Sequence, residues 1–127
     1  MRWIFIDKIF CHGILKNKNN EFLILKRNNK DIYPFLWDLP GGEKMENESF
    51  MQCLVIEFIE ETNLKVCRAN LKYVKIKRIK EDNIIVLIYE TIVDEIKDVF
   101  LNDEHISFAF VKKFNSKKTI WYLQDLM

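Results

Sequence analysis

Three glutamates, Glu57, Glu60 and Glu61, stand three and four residues apart in a run that is otherwise mostly apolar: Phe50, Met51, Leu54, Val55, Ile56, Phe58, Ile59 and Leu64. At 3.6 residues per turn their carboxylates fall within about 100° of arc on one helix face. No Lys or Arg occurs between Lys44 and Lys65 to pair with them. A solvated helix stripe ordinarily interleaves cations at i,i+4, and like charges at that spacing cost roughly 0.2–0.5 kcal/mol a pair. A divalent cation removes that repulsion, and clustered carboxylate oxygens suit the hard ions Mg2+ or Mn2+. The plain alternative is a solvated acidic stripe. Apolar residues cover most of the remaining helix circumference, the pattern of a buried helix.

The spacing predicts this helix over residues 48–63. Asn47 or Ser49 can cap its start, and Ser49 with Gln52 fits a capping box. Glu48 is expected in the first turn, where the helix dipole favours a negative charge. That accounts for Glu48 structurally and leaves room for a second role. Gly41 and Gly42, two of the three glycines in the chain, come just before. Paired glycines let a backbone approach a ligand or metal closely.

From Gly42 through Glu48, Ile56, Glu57, Phe58, Glu60, Glu61 and Asn63 to Leu64, the chain resembles the Nudix box, the signature of the Nudix hydrolases. The family pattern is G-x5-E-x7-R-E-U-x-E-E-x-G-U, where U is a bulky aliphatic residue. The leading glycine and all four glutamates stand at the family spacing. The approach "LWDLPGG" and the later "NDEHISFAFV", 102–111, are similar to family segments on either side of the box. Two positions depart. Asn63 replaces the second box glycine, and Asn is the next most tolerant residue for a left-handed helix end. Ile56 replaces an arginine that in the family pairs with a box carboxylate. Lys26, Arg27 and Lys44 are the candidate substitutes for that cation.

The resemblance implies an α+β Nudix fold, a mixed β-sheet sandwiched between helices, with residues 1–127 as a single domain. It also implies Mg2+- or Mn2+-dependent hydrolysis of a nucleoside diphosphate linked to another moiety, a nucleoside triphosphate or another nucleotide derivative. Carried over residue by residue, Glu57, Glu60 and Glu61 are catalytic metal ligands, and Glu57 or a neighbour orients or deprotonates the water. The Gly41 carbonyl, Glu48 and Glu104 are further candidate ligands. The residue types make chemical sense: a cation neutralises the polyanion and acidifies water, and a carboxylate positions that water. Candidate substrate contacts are Arg27 for phosphate, Gly42 for close backbone approach and Trp37 for stacking on a base. Strand-end pairing and loop packing are the structural alternatives for Arg27 and Trp37.

The remaining elements must hold these residues in place. Residues 4–15 and 22–26 read as strands, and "KNKNN" between them as the turn of a hairpin. Residues 28–40 read as a loop, 72–79 as a charged strand, and 81–83 as a turn. The apolar run 84–93 reads as a central strand buried on both faces. An acidic loop over 94–105 and a strand over 108–111 follow. Ser116 is expected to cap a last helix carrying Ile120, Leu123 and Leu126.

Composition sets the outer limits. An apolar fraction of 49%, a charged fraction of 31% and a net charge of +1 describe an ordinary globular domain with no field favouring one partner. Cys11, Cys53 and Cys67 form no metal or redox motif and read as small buried hydrophobes in a reducing compartment. His12 and His105 lack ligand spacing and read as packing or hydrogen-bonding residues. "MRWIFIDKIF" is broken by Asp7 and Lys8, so neither a signal peptide nor a membrane span is expected, and the expected location is cytoplasmic. Residues 65–80 form a basic stripe, read first as the solvent face of an edge strand protected by lysines. Two other readings stay open: a Nudix-fold binding module that has lost catalysis through Ile56, and a nucleic-acid-binding domain using the 65–80 stripe. A small-molecule nucleotide is the favoured partner over nucleic acid, with no membrane. Oligomeric state is left open, a dimer included.

Overall fold

The computed structural model of the protein describes residues 6–114 and 117–126. Its elements are β1 (Ile6–Leu15), β2 (Phe22–Arg27), β3 (Trp37–Asp38), β4 (Gly41–Glu43), α1 (Phe50–Thr62), β5 (Val66–Ile79), β6 (Asp82–Val93) and β7 (His105–Val111). A mixed sheet runs in the order β4-β1-β6-β5, with β1 and β6 parallel. An antiparallel sheet runs β3-β2-β7.

Alternation along the strands explains why both sheet faces are covered. In β2, Leu23 and Leu25 join one buried cluster while Ile24 joins the other. In β1, Cys11 and Leu15 join the first and Ile14 the second. Successive side chains of a strand point to opposite faces. The first cluster is closed by Cys53, Leu54 and Phe58 of α1, the second by Phe114, Ile120, Leu123 and Leu126 of the C-terminal segment.

The hairpin expected between the first two strands does not form. Both hydrogen-bonding edges of β1 are taken, by β4 and by β6. A single bridge between Lys16 and Phe22 is what links β1 to β2. The turn itself is as expected: the Asn17 carboxamide oxygen accepts from the N–H groups of Asn19 and Glu21, both at 3.0 Å. The chain uses that turn to cross from one sheet to the other.

The last helix is also different. Trp121–Leu123 form a short 3-10 turn, and Ser116 lies outside the described residues. The chain just before it is extended, with Trp37 N–H donating to Lys118 O at 2.9 Å and Ile120 N–H to Trp37 O at 3.0 Å. That pairing forbids a helical start there. The spacing of Ile120, Leu123 and Leu126 is three, which suits a 3-10 path and buries all three.

β5 begins at Val66, earlier than the charged strand was expected, and is an edge strand. Its basic side chains are mostly exposed, but Lys75 is half-buried and Lys77 lies over the Trp121 ring; Lys72 and Lys75 pair with Glu90 and Asp125 at 2.6 and 2.8 Å. The expected turn at 81–83 falls at Lys80 and Glu81, with Asp82 already in β6. β6 occupies an interior position, but one face is only partly covered: Val86 and Ile88 are buried, Leu87 is half-buried, and Glu90 and Ile92 are exposed. Cys11 and Cys53 are buried, but Cys67 is exposed near the start of the edge strand. No helix among the described residues is long and apolar enough to cross a membrane.

Candidate active site

The site is built on α1, whose ends are set locally. Ser49 accepts from the Gln52 N–H while the Gln52 side chain accepts from the Ser49 N–H, a closed capping box. Asn63 ends the helix in the left-handed conformation, φ 65°, and its N–H donates to Ile59 O. Glu48 therefore lies before the cap, not in the first turn, and its carboxylate accepts the Met45 N–H at 2.8 Å. The helix is not buried all round: Phe50, Met51, Ile56 and Ile59 are exposed, and the buried face is Cys53, Leu54, Phe58, Glu61 and Thr62. Glu61 follows Phe58 by three and Leu54 by seven, so helical geometry carries its carboxylate inward with the apolar stripe.

The strand β4 meets that carboxylate. The Gly41 N–H donates to Glu61 Oε1 at 2.8 Å. Gly41 has φ 152°, and a Cβ there would run into the Cys11 carbonyl and His12. A Cβ on Gly42 would stand 2.5 Å from Glu57 Cδ. The two glycines thus let the backbone lie directly against two carboxylates of the helix.

A third carboxylate arrives from the loop before β7. The Asn28 N–H donates to Glu104 O at 3.0 Å, and the Asn28 side chain donates to Asp103 O at 2.6 Å. His105 opens β7 opposite Arg27, where the register shifts. Such irregularities re-aim side chains beside sites. Ligand-capable atoms of Glu61, Glu104 and His105 lie within 4.8 Å of one another. Glu57, Glu61, Glu104, His105 and both glycines line one cavity of about 260 Å³.

The electrostatics follow from this crowding. Burial, then the charges of Glu60, Glu104 and Glu48, push the Glu57 carboxyl up to about 7. Burial pushes Glu61 well above the usual carboxylate range; the Gly41 hydrogen bond opposes this, and Glu57, Asp38 and Glu104 add to it. No ion pair among the described residues reaches these glutamates. Lys26 lies over the Phe35 ring, Lys44 over Phe50 with its Nζ donating to Met45 O, and Arg27 faces two aspartates. None of the three takes the place left by Ile56, which is itself 43% exposed.

Arg27 lines the same cavity. Its Nη2 and Nε donate to Asp38 at 2.6 and 3.2 Å and its Nη1 to Asp31 at 2.8 Å. Burial would lower its pKa, but Asp38 foremost outweighs that and holds it up. Asp38, buried, is held low against burial by His12 and Arg27 and by hydrogen bonds from Tyr122 and Arg27. His12 Nδ1 donates to Leu39 O at 2.9 Å, with its Nε2 3.3 Å from the Tyr122 hydroxyl. His12 is thus the hydrogen-bonding residue expected from sequence. The Asp38–Tyr122 pairing went unanticipated because its members are scattered along the chain.

Other expected residues lie elsewhere. Glu60 is exposed and Glu48 half-buried, and both lie outside the cavity lining, although Glu57 feels both charges. Trp37 packs against the second cluster with Lys117 over its ring, and it lines neither this cavity nor the next. That neighbouring cavity, about 220 Å³, shares Phe10, His12, Arg27 and Glu43 with the first and is otherwise mostly apolar, with Tyr33, Ile84 and Trp121 in its wall. His105, read from sequence as a packing or hydrogen-bonding residue, lines the cavity, as do Asp31 and Asp38, which the sequence did not single out; for His105 its place beside Glu104 at the head of a strand was the available signal.

The donors fit a divalent cation. Carboxylate oxygens and an imidazole converge, the carboxylates repel one another, and the buried Nδ1 of His105 has no partner.

Known proteins share the fold. Residues 11–119 match the family described as NUDIX domain. An 8-oxo-dGTP diphosphatase of Buchnera aphidicola is 38% identical over 56 residues, 44% of this chain and 42% of that protein, so the chain spans less than half the length of the curated relative it matches. The crystal structure of a MutT protein from Methanosarcina mazei superposes with a TM-score of 0.76 at 26% identity, covering 84% of this chain and 78% of that one. A MutT NUDIX hydrolase from Burkholderia pseudomallei shares the fold, with a TM-score of 0.72 at 19% identity over 84% and 83% of the two chains.

Proposed function

Because the chain belongs to the NUDIX domain family, we propose that it is a hydrolase of phosphoric anhydrides that cleaves a small nucleotide, with Glu57, Glu61 and Glu104 serving a divalent cation such as Mg2+ or Mn2+. The observation that carries this reading is the convergence of these three carboxylates in one cavity, two of them against the Gly41–Gly42 backbone. A bound cation supplies charge neutralisation at the phosphates and acidification of water. The chain's own residues do the rest. The Gly41 N–H fixes Glu61 through Oε1 and leaves Oε2 directed elsewhere. Glu57, set against the Gly42 backbone in the cavity, is the candidate base for the attacking water, and a bound cation would bring its carboxyl down from the cation-free value of about 7. Glu60 and Glu48 tune it through their charge. Arg27 has five N–H donors, of which three are engaged by aspartates, so two remain for a phosphate oxygen.

The adjoining apolar cavity is where the nucleoside would sit, with Tyr33 and Trp121 as aromatic surfaces. A nucleoside triphosphate is the favoured substrate, because the Buchnera relative is named for one. The test is turnover of a panel of nucleoside triphosphates, 8-oxo-dGTP, ADP-ribose, nucleotide sugars and dinucleoside polyphosphates, with Mg2+ or Mn2+ and with EDTA. Cation-dependent cleavage of one class, lost in Glu61→Gln, is the expected result; equal activity in Glu61→Gln would overturn the assignment. The exposed Ile56 favours a second reading, a nucleotide-binding module without turnover. Tight nucleotide binding with silence across the whole panel would establish that reading instead.

A further inference from the structure

The residues that meet at the head of β7 include a nitrogen donor, which an all-carboxylate site would not have. We propose that the cation site is a mixed one, in which the His105 imidazole joins the Glu61 and Glu104 carboxylates as a ligand, and that it takes a divalent first-row transition ion such as Mn2+ in preference to Mg2+. The inference rests on the reading of this cavity as a cation site.

Geometry comes first. Ligand atoms of Glu61, Glu104 and His105 lie within 4.8 Å of one another, so an ion central to them stands at most about 2.8 Å from each. Inward shifts of up to about 0.6 Å bring all three to the usual 2.1–2.2 Å. The second observation is independent of that clustering. His105 is 9% exposed, and its Nδ1 is buried with no hydrogen-bond partner, the one side-chain atom of its kind among the described residues. Buried polar atoms are nearly always satisfied, and a bare nitrogen on a ring that reaches two carboxylates calls for an occupant.

The frame around His105 is rigid enough to serve. Its backbone is fixed by strand pairing to Arg27 and by the Asn28 contacts to Asp103 and Glu104. Glu61 is anchored by the Gly41 N–H, which leaves its second oxygen available. His12, the other histidine in the chain, is committed to Leu39 and Tyr122. Mg2+ holds to oxygen donors and its own waters, whereas transition ions accept imidazole readily. One imidazole among the ligands therefore tilts selectivity without excluding Mg2+.

The experiment is pulsed electron paramagnetic resonance of the full chain loaded with Mn2+, in natural-abundance form and with 15N-labelled histidine. The expected spectrum shows nitrogen modulation from a directly bound imidazole, and labelling converts it from the 14N to the 15N pattern. Competition between Mn2+ and Mg2+, read from the free Mn2+ signal, should favour Mn2+. His105→Asn, which replaces the nitrogen donor by an oxygen, should weaken Mn2+ about tenfold or more while leaving Mg2+ affinity nearly unchanged. The wild-type spectrum decides the matter even if that variant folds poorly. Mn2+ bound with no histidine nitrogen coupling would overturn the His105 assignment and leave the hydrolase reading standing. No Mn2+ uptake at all, in protein shown to be folded, would overturn both.

Discussion

Glu57→Gln, studied without any cation, isolates the energetic consequence of crowding carboxylates on one helix. The Glu57 carboxyl ordinarily titrates near 4.5 and is pushed up to about 7, first by burial and then by Glu60, Glu104 and Glu48. A carboxyl whose folded pKa is raised contributes stability that is complete below the unfolded value and lost as pH climbs to the folded one. The window is therefore about pH 4.5 to 7. Full ionisation against such a shift costs roughly 3 kcal/mol. Glu57 is only half-buried, and solvent screening brings the figure to about 1–2 kcal/mol. His105 works in the opposite direction: burial lowers its pKa, so its contribution is lost as pH falls through and below its usual 6.5. Asp38 is held low, so its contribution fades only in stronger acid, below its usual 3.8. Comparing wild type with Glu57→Gln cancels both, while Glu61, raised in part by the Glu57 charge, relaxes in the variant and adds to the difference in the same direction. Urea denaturation in EDTA at about pH 5 and pH 8 should show the variant gaining about 1–2 kcal/mol over wild type between the two conditions. Mn2+ should restore the wild type at the higher pH and do much less for the variant. Parallel pH curves for the two proteins would refute the claim that Glu57 is held against its charge.

Three further outcomes follow from named contacts. Ile56→Arg puts a guanidinium four residues before Glu60 on the helix surface, so urea denaturation should show a gain of about 0.2–0.5 kcal/mol, and turnover should rise if the missing cation limits it. Asp38→Asn leaves the partly buried Arg27 with Asp31 but without its main counter-charge and should cost about 2–3 kcal/mol in the same measurement. Asn63→Ala keeps a Cβ at φ 65° but loses the carboxamide that eases the left-handed conformation and should cost about 1 kcal/mol, whereas Asn63→Gly should be neutral or stabilising.

What could be read from the sequence was what lies close along the chain. The capping box of Ser49 and Gln52 spans one helical turn, and the left-handed Asn63 follows from residue type alone, so both appear in the structure as expected. The placement of Glu48 failed by a single step, since Ser49 rather than Asn47 claims the cap and leaves Glu48 outside the helix. Pairing over longer distances was not readable. β1 looked like half of a hairpin because β2 follows it after a turn, yet its neighbours are β4 and the distant β6, and apolar periodicity does not say which strand lies alongside. The C-terminal turn failed for a related reason: its apolar spacing of three suits more than one kind of coil, and the pairing of Lys118 and Ile120 with Trp37 decides the outcome.

The candidate site divides along the same line. Glu57 and Glu61 were legible because one helix carries both, and spacing fixes their common face. Glu60, at the same spacing, nevertheless points outward, because the direction of the core, which no spacing reveals, decides which of three neighbouring glutamates is buried. Arg27, Asp38, His12 and Tyr122 come from four separate segments, and their contacts exist only once both sheets have formed. This explains why Arg27 looked like a free phosphate ligand in the sequence and is a shared one in the structure. Two aspartates already hold it, so a substrate phosphate must compete for its remaining N–H groups instead of finding an open charge. On the proposed function, affinity for a nucleotide comes mainly from the cation the carboxylates would gather, and chelation should weaken binding far more than neutralising Arg27 does.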